Sequence, residues 1–168
     1  MKYNIDFLKE VLSVPTHTYE EDLMIEYLIS WLEKNRFNFF ADKVGNIYVT
    51  GRYSSPTFTM GSTTLTNTSA LSTADILFLK FDNSGTMIWA KSVGGGDTDA
   101  GEGVCSDNVG NVYLVGRFSS SALTFDTCNV VNCDSSKAEI FVVAFNSSGT
   151  AYWAVRAGSD SSDYGQSI

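Results

Sequence analysis

Acidic residues in two glycine-rich loops are the most direct candidates for chemistry in this sequence. The first loop carries Asp97, Asp99 and Glu102, and the second carries Asp160 and Asp163. Calcium takes clustered carboxylate oxygens as ligands, so these loops are candidate calcium sites. Their spacing is not that of an EF-hand loop, and solvated turn carboxylates are therefore the favoured interpretation.

Nitrogen and sulfur ligands are scarce. The chain has one histidine, His17, and three cysteines. A zinc site takes four such ligands or three with an open position, so we predict no metal and no cofactor. Cys128 and Cys133 flank a four-residue segment and form a candidate disulfide pair, whereas Cys105 is predicted to be a small buried residue in a strand.

Three further patterns are candidate sites. Trp89 and Trp153 hold the same position in two similar segments and could stack on a carbohydrate, but a packing role is favoured. Gly94–Gly96 lacks the Lys-Ser/Thr ending and the following helix of a phosphate-binding loop. A single distant histidine does not make a Ser-His-Asp grouping. The sequence therefore predicts no catalytic residue and a protein that is not an enzyme.

Charge and hydropathy restrict the partners. The chain of 168 residues has 11 basic and 19 acidic residues, a net charge of −8, which disfavours a nucleic-acid partner. No apolar run approaches the roughly 18 residues of a membrane-spanning helix. The first residues show no apolar core of a signal peptide, and the localisation is left unknown.

The chain contains an internal repeat. Residues 45–52 return as 110–117, and Asp75–Phe81 returns as Glu139–Phe145, at a period of about 64–65 residues. The segments with strand composition are residues 37–41, 47–49, 57–60, 64–65, 76–81, 87–91, 103–106, 140–145 and 151–155. A four-stranded antiparallel unit repeated at this period predicts two propeller-type blades over residues 45–168.

Residues 45–168 also resemble the SBBP-type bacterial β-propeller repeat. The residues that carry the resemblance are Asp75-Ile76, Lys80-Phe81-Asp82, Gly85, Trp89-Ala90-Lys91, Gly94-Gly95, Asp107, Gly110-Asn111-Val112-Tyr113 and Gly116. The resemblance implies an exported or cell-surface protein. Full propellers have typically 4–8 blades, so two blades with open faces are expected to self-associate or to be poorly stable.

Residues 1–44 have a different character. Apolar residues recur at helical spacing in residues 5–12 and 23–32, and Thr18 with Glu21 forms a capping box. This pattern predicts a segment of two helices, followed by a strand at residues 37–41.

Residues 5–49 resemble the start of zinc exopeptidases of the aminoacylase and peptidase T type. The similarity rests on Ser13-Val14-Pro15, the acidic helix start at Glu20-Glu21 and the hairpin residues 42–46. The family's zinc ligands begin with a His-x-Asp motif that this sequence lacks, and His17 lies where the family places no ligand. The two resemblances overlap at residues 45–50, which is therefore a candidate junction of a chimeric chain.

The predicted fold class is mainly β: about two antiparallel four-stranded propeller-type blades preceded by a two-helix N-terminal segment, α+β overall. The predicted function is a non-enzymatic repeat module for binding or scaffolding. Its partner is an unknown protein or glycan, with self-association through open blade faces. The alternatives are a truncated or chimeric zinc metallo-exopeptidase fragment without its metal site and a calcium-stabilised surface adhesion fragment.

Overall fold

The computed structural model describes Ser30, residues 37–69 and residues 73–168, and these residues form 12 strands. Val, Ile, Thr and aromatic residues fill the strands because such side chains pack well on a pleated, half-buried surface. The first six strands are β1 (Asn38–Ala41), β2 (Ile47–Tyr53), β3 (Thr57–Met60), β4 (Thr63–Thr66), β5 (Asp75–Phe81) and β6 (Met87–Val93).

The second six strands follow in the same order and at similar lengths. They are β7 (Asp99–Ser106), β8 (Val112–Phe118), β9 (Ala122–Phe125), β10 (Cys128–Val131), β11 (Glu139–Phe145) and β12 (Ala151–Ala157). The structure thus consists of two units, which we call the first unit (β1–β6) and the second unit (β7–β12).

Each unit contains one four-stranded antiparallel sheet and one separate hairpin. The first sheet has the strand order β1-β2-β5-β6, and the second sheet has the order β7-β8-β11-β12. The hairpins β3-β4 and β9-β10 are inserted between the second and third strands of their sheets. A repeat therefore supplies six strands, where the sequence predicted four. Equivalent central pairs fix the registers, with Val49 opposite Leu79 and Leu114 opposite Val143.

Each sheet has two different faces. We call the face that packs against the unit's own hairpin the front face, and the opposite one the back face. On the first front face, Leu77 and Leu79 of β5 pack with Phe58 and Met60 of β3. On the second front face, the central strands pack with the β9-β10 hairpin, and this face also meets the back face of the first sheet.

The larger core lies between the two sheets. The back face of the first sheet supplies Tyr48, Ile76 and Phe78, and the front face of the second supplies Leu114, Phe141, Val143 and Phe145 among others. Because both faces of the first sheet are covered, every residue of β5 is buried, including the charged Asp75 and Lys80.

The predicted fold class is wrong in its helical part. The described residues form 12 strands in four antiparallel sheets and no helical element, so the two-helix N-terminal segment and the α+β class are not supported. Helical spacing of apolar residues records only local amphipathicity, which is a weak guide to the final structure. Apart from Ser30, the segments predicted as helices lie outside the described residues.

Most strand predictions are confirmed, including β1, which pairs with β2 from Asn38 to Ala41. Several boundaries differ. Strand β2 extends to Tyr53 and β6 to Val93, and β7 begins at Asp99, which pairs with Phe118 of β8, rather than at residue 103.

Candidate functional site

Two equivalent turns lie at one end of the sheets. In the first, Asp42 Oδ1 accepts bonds from the Val44 and Asn46 backbone N–H groups at 3.0 and 2.9 Å. Its Oδ2 accepts bonds from Asn46 Nδ2 at 2.7 Å and from Tyr48 Oη at 3.3 Å. Gly45 has a φ of +86°, which favours glycine. This Asp-x-x-Gly-Asn sequence therefore stabilises a tight turn.

The second turn repeats every one of these bonds. Asp107 accepts the Val109 and Asn111 backbone N–H groups, the Asn111 amide and the Tyr113 hydroxyl, at 2.7–3.2 Å. Hydrogen bonds, led by that of the Asn111 amide, lower the pKa of Asp107. The repeated residues at these positions thus have a structural role in the turns.

The contact between the units is aromatic. The Phe78 ring lies 4.8 Å from that of Trp89 on the same back face and 5.1 Å from that of Phe145 on the second sheet. Gly149, in the turn before β12, lies against the Trp89 ring, where a Cβ atom would come within 3.0 Å. Trp89 therefore packs between the units, as the favoured interpretation predicted.

The equivalent face of the second sheet is open. Trp153 holds the position of Trp89 but is 37% exposed, and Val155 beside it is 53% exposed. Tyr113 packs against Trp153 at 6.3 Å, as Tyr48 packs against Trp89 at 6.5 Å. The back face of the second sheet thus presents the aromatic arrangement that the first sheet uses to bind the second.

The two back faces differ in charge. On the first sheet, Lys80 and Lys91 reach the second unit, and Lys91 Nζ lies 2.9 Å from Asp126 Oδ1. By the 64-residue offset their equivalents are Ala144 and Val155. The open back face therefore lacks these two lysines and is more apolar than the covered one.

The inner part of this open face is covered by residues 163–168. The Asp163 backbone N–H donates to the Ala138 carbonyl at 2.8 Å, just as Asp99 N–H donates to the Ala74 carbonyl at 2.7 Å. Gly165 then lies against Val115 and Ile140. This segment follows the path that β7 takes over the first sheet, and it leaves Trp153 and Val155 exposed.

A cleft lies between the two equivalent turns, and we call it the end cleft. It has a volume of about 520 Å³ and is lined by residues 40–44, Asn46, Tyr48, Lys80, residues 106–110 and Ser147. Burial, followed by the charge of Asp42, raises the pKa of Tyr48 to about 12. Tyr48 is therefore a protonated hydrogen-bond donor at neutral pH.

The acidic residues of the glycine-rich loops are separated by the fold. Asp99 is buried and accepts bonds from Gly95 N–H, Ser119 N–H, Ser120 N–H and the Ser120 hydroxyl. Glu102 forms an ion pair with Arg117 at 3.0 Å. Asp163 accepts bonds from the backbone and hydroxyl of Ser159. The prediction that all these carboxylates are solvated is wrong for Asp99, which is buried by the loops that supply its four donors.

No group of three or more His, Cys, Asp or Glu residues among those described is placed to hold a metal ion. The Cys128 and Cys133 thiols are free, and Cys128 is the first residue of the extended strand β10 whereas Cys133 lies beyond its end. Cys105 is also free and half-buried. His17 lies outside the described residues. In the described part of the chain, no helix is long and apolar enough to cross a membrane.

The sequence matches no family model. A search of curated proteins finds no match either. The resemblances to SBBP-type repeats and to zinc exopeptidases therefore stay predictions.

Two residues with a special position were missed in the sequence. Lys80 and Val155 lie at back-face positions where the two copies of the repeat differ. The equivalent of Lys80 is Ala144, and the equivalent of Val155 is Lys91. Alignment of the two copies contains this signal. The meaning of these two differences becomes clear only when it is known that both positions lie on the back face of a sheet.

Proposed function

We propose that the chain is a non-enzymatic repeat module of the β-propeller type, for binding or scaffolding, and that the back face of the second sheet is its contact surface. The supporting observation is the contrast between Trp89, which packs between the units, and Trp153, its exposed equivalent.

The chemistry of the face supports a protein partner. Tyr113 of β8 and Trp153 and Val155 of the edge strand β12 form an aromatic and apolar surface. Aromatic residues at the centre of a contact supply most of its binding energy, and exposed apolar patches mark interaction sites. Because the two lysine positions carry Ala144 and Val155, the partner is expected to present an apolar surface.

Self-association tests this proposal directly. We expect the sedimentation coefficient of the protein to rise with concentration, and the double variant Trp153→Ser/Val155→Lys to stay monomeric. Ile88→Lys is the matched control, since Ile88 is 51% exposed but lies on β6 of the first sheet. A protein that is monomeric at every concentration, or an equal loss of association in Ile88→Lys, would contradict the proposal.

A further inference from the structure

The end cleft contains two carboxylates whose hydrogen-bonding capacity is filled. Each oxygen of Asp42 and Asp107 accepts two bonds from its own turn or from the following tyrosine. A carboxylate has about four lone-pair sites, so neither group has an acceptor position left for a ligand. Asp42 and Asp107 therefore line the cleft but cannot accept a hydrogen bond from a ligand.

The cleft does contain hydrogen-bond donors without a partner, and they belong to Lys80. Lys80 is only 8% exposed, and its Nζ donates one bond, of 3.3 Å, to the Ser147 carbonyl. The same atom lies 5.2 Å from the centre of the Tyr48 ring. Within the described residues, Lys80 takes part in no ion pair. An ammonium has three N–H donors, so two remain for a ligand.

The repeat shows that this strand position does not by itself require a lysine. Its equivalent in the second unit is Ala144, which is buried in the same strand position. A buried charge is costly unless it is paired. A buried lysine without a carboxylate partner, at a position whose equivalent is alanine, therefore indicates a role beyond packing.

We propose that the end cleft binds the carboxylate of a small molecule or of a peptide C-terminus, with Lys80 Nζ as its principal donor. The volume of about 520 Å³ is in the range of small-molecule sites. Lys43 also lines the cleft, where its Nζ donates to Asn108 Oδ1 at 3.1 Å. Two ammonium and two carboxylate groups balance each other, so the site favours a singly charged ligand over a polyanion.

The test follows backbone amide chemical shifts of the full chain at constant ionic strength. The probes are sodium acetate, trialanine with a free carboxylate and trialanine amide. We expect saturable shifts in residues 42–46 and 107–111 with acetate or with free trialanine, and none with the amide. Shifts with both probes identify a general carboxylate site, and shifts with trialanine alone identify a peptide C-terminus.

Variants assign the binding to Lys80. Lys80→Met keeps the aliphatic stem and is expected to lower the affinity about tenfold or more, since hydrogen bonds to charged groups contribute about 1.5–3 kcal/mol. Lys80→Ala, which copies the second unit, should behave alike, and Lys80→Arg should retain binding. Lys91→Ala is the matched control from the same face. Non-saturating shifts, equal binding by the amide, or unchanged affinity in Lys80→Met and Lys80→Ala would overturn the proposal.

Discussion

The Asp99 carboxylate lies at the start of β7, where it is buried and accepts bonds from the loops at Gly95 and at Ser119–Ser120. Burial raises the pKa of Asp99 to about 6, and its bonds from Ser120, Ser119 and Gly95 oppose the shift only in part. In the unfolded chain, Asp99 has the ordinary aspartate pKa of about 3.9. Between pH 4 and pH 6 the folded state therefore binds more protons, and this group's contribution to stability falls as the pH rises.

We predict that this pH dependence disappears in Asp99→Asn. The difference in free energy of unfolding between the parent protein and the variant should fall by about 2–3 kcal/mol from pH 4 to pH 7, at about 1.4 kcal/mol per unit of pKa. Urea unfolding at each pH measures it. Asp97→Asn is the control, since Asp97 is exposed in the same loop. A difference that stays constant, or that grows with pH, would contradict the assigned pKa.

At the level of the elements, one buried asparagine in each unit connects the hairpin to the sheet. Asn132 Nδ2 donates to the carbonyls of Phe118 at 3.4 Å and Lys137 at 3.0 Å, and its Oδ1 accepts the Asp134 N–H. Asn67 makes the equivalent bonds to Tyr53 and Thr73 in the first unit. The loop before β11 thus depends on this side chain.

Asn132→Ala is expected to lower the free energy of unfolding by about 1–3 kcal/mol, because buried backbone groups lose their partners. Chemical denaturation measures the loss. Asn129→Ala lies at an exposed position of the preceding strand β10 and should change stability by less than about 0.5 kcal/mol. Equal effects of the two variants would show that the Asn132 bonds do not hold the loop.

The strands and turns could be predicted because their signals are local. Asp82 and Gly85 place a turn between β5 and β6 whatever surrounds it, and Gly85 has a φ of +77°. The partner of each back face could not be predicted, since Trp89 and Trp153 look identical in sequence. Their difference arises from which unit packs on them. The burial of Asp99 was missed for the same reason, because it lies in a loop sequence that reads as exposed.

At the scale of the whole molecule, the two units share one core. Phe78 belongs to the first sheet, yet it packs with Phe145 and with the cluster of the second unit. A residue placed in this way couples the stability of the two units, so they should unfold together.

Phe78→Ala tests this coupling. It is expected to cost about 3–5 kcal/mol, as for other buried phenylalanines. Tryptophan fluorescence and far-UV circular dichroism should still report one coincident transition, at lower urea. Ile88→Ala, at an exposed position on β6, should have little effect. Two separate transitions in the parent protein would mean that the units are independent.

Because the front and back faces differ, the two units are arranged head to tail. A unit that carries its hairpin on one side only meets its neighbour through unlike surfaces, which is a heterologous contact. Repetition of such a contact turns each unit by a constant angle relative to the last. The outcome is a closed ring when the angles complete a circle and an open filament when they do not. The number of units in such an assembly is therefore fixed by the angle between neighbours and not by the strength of the contact.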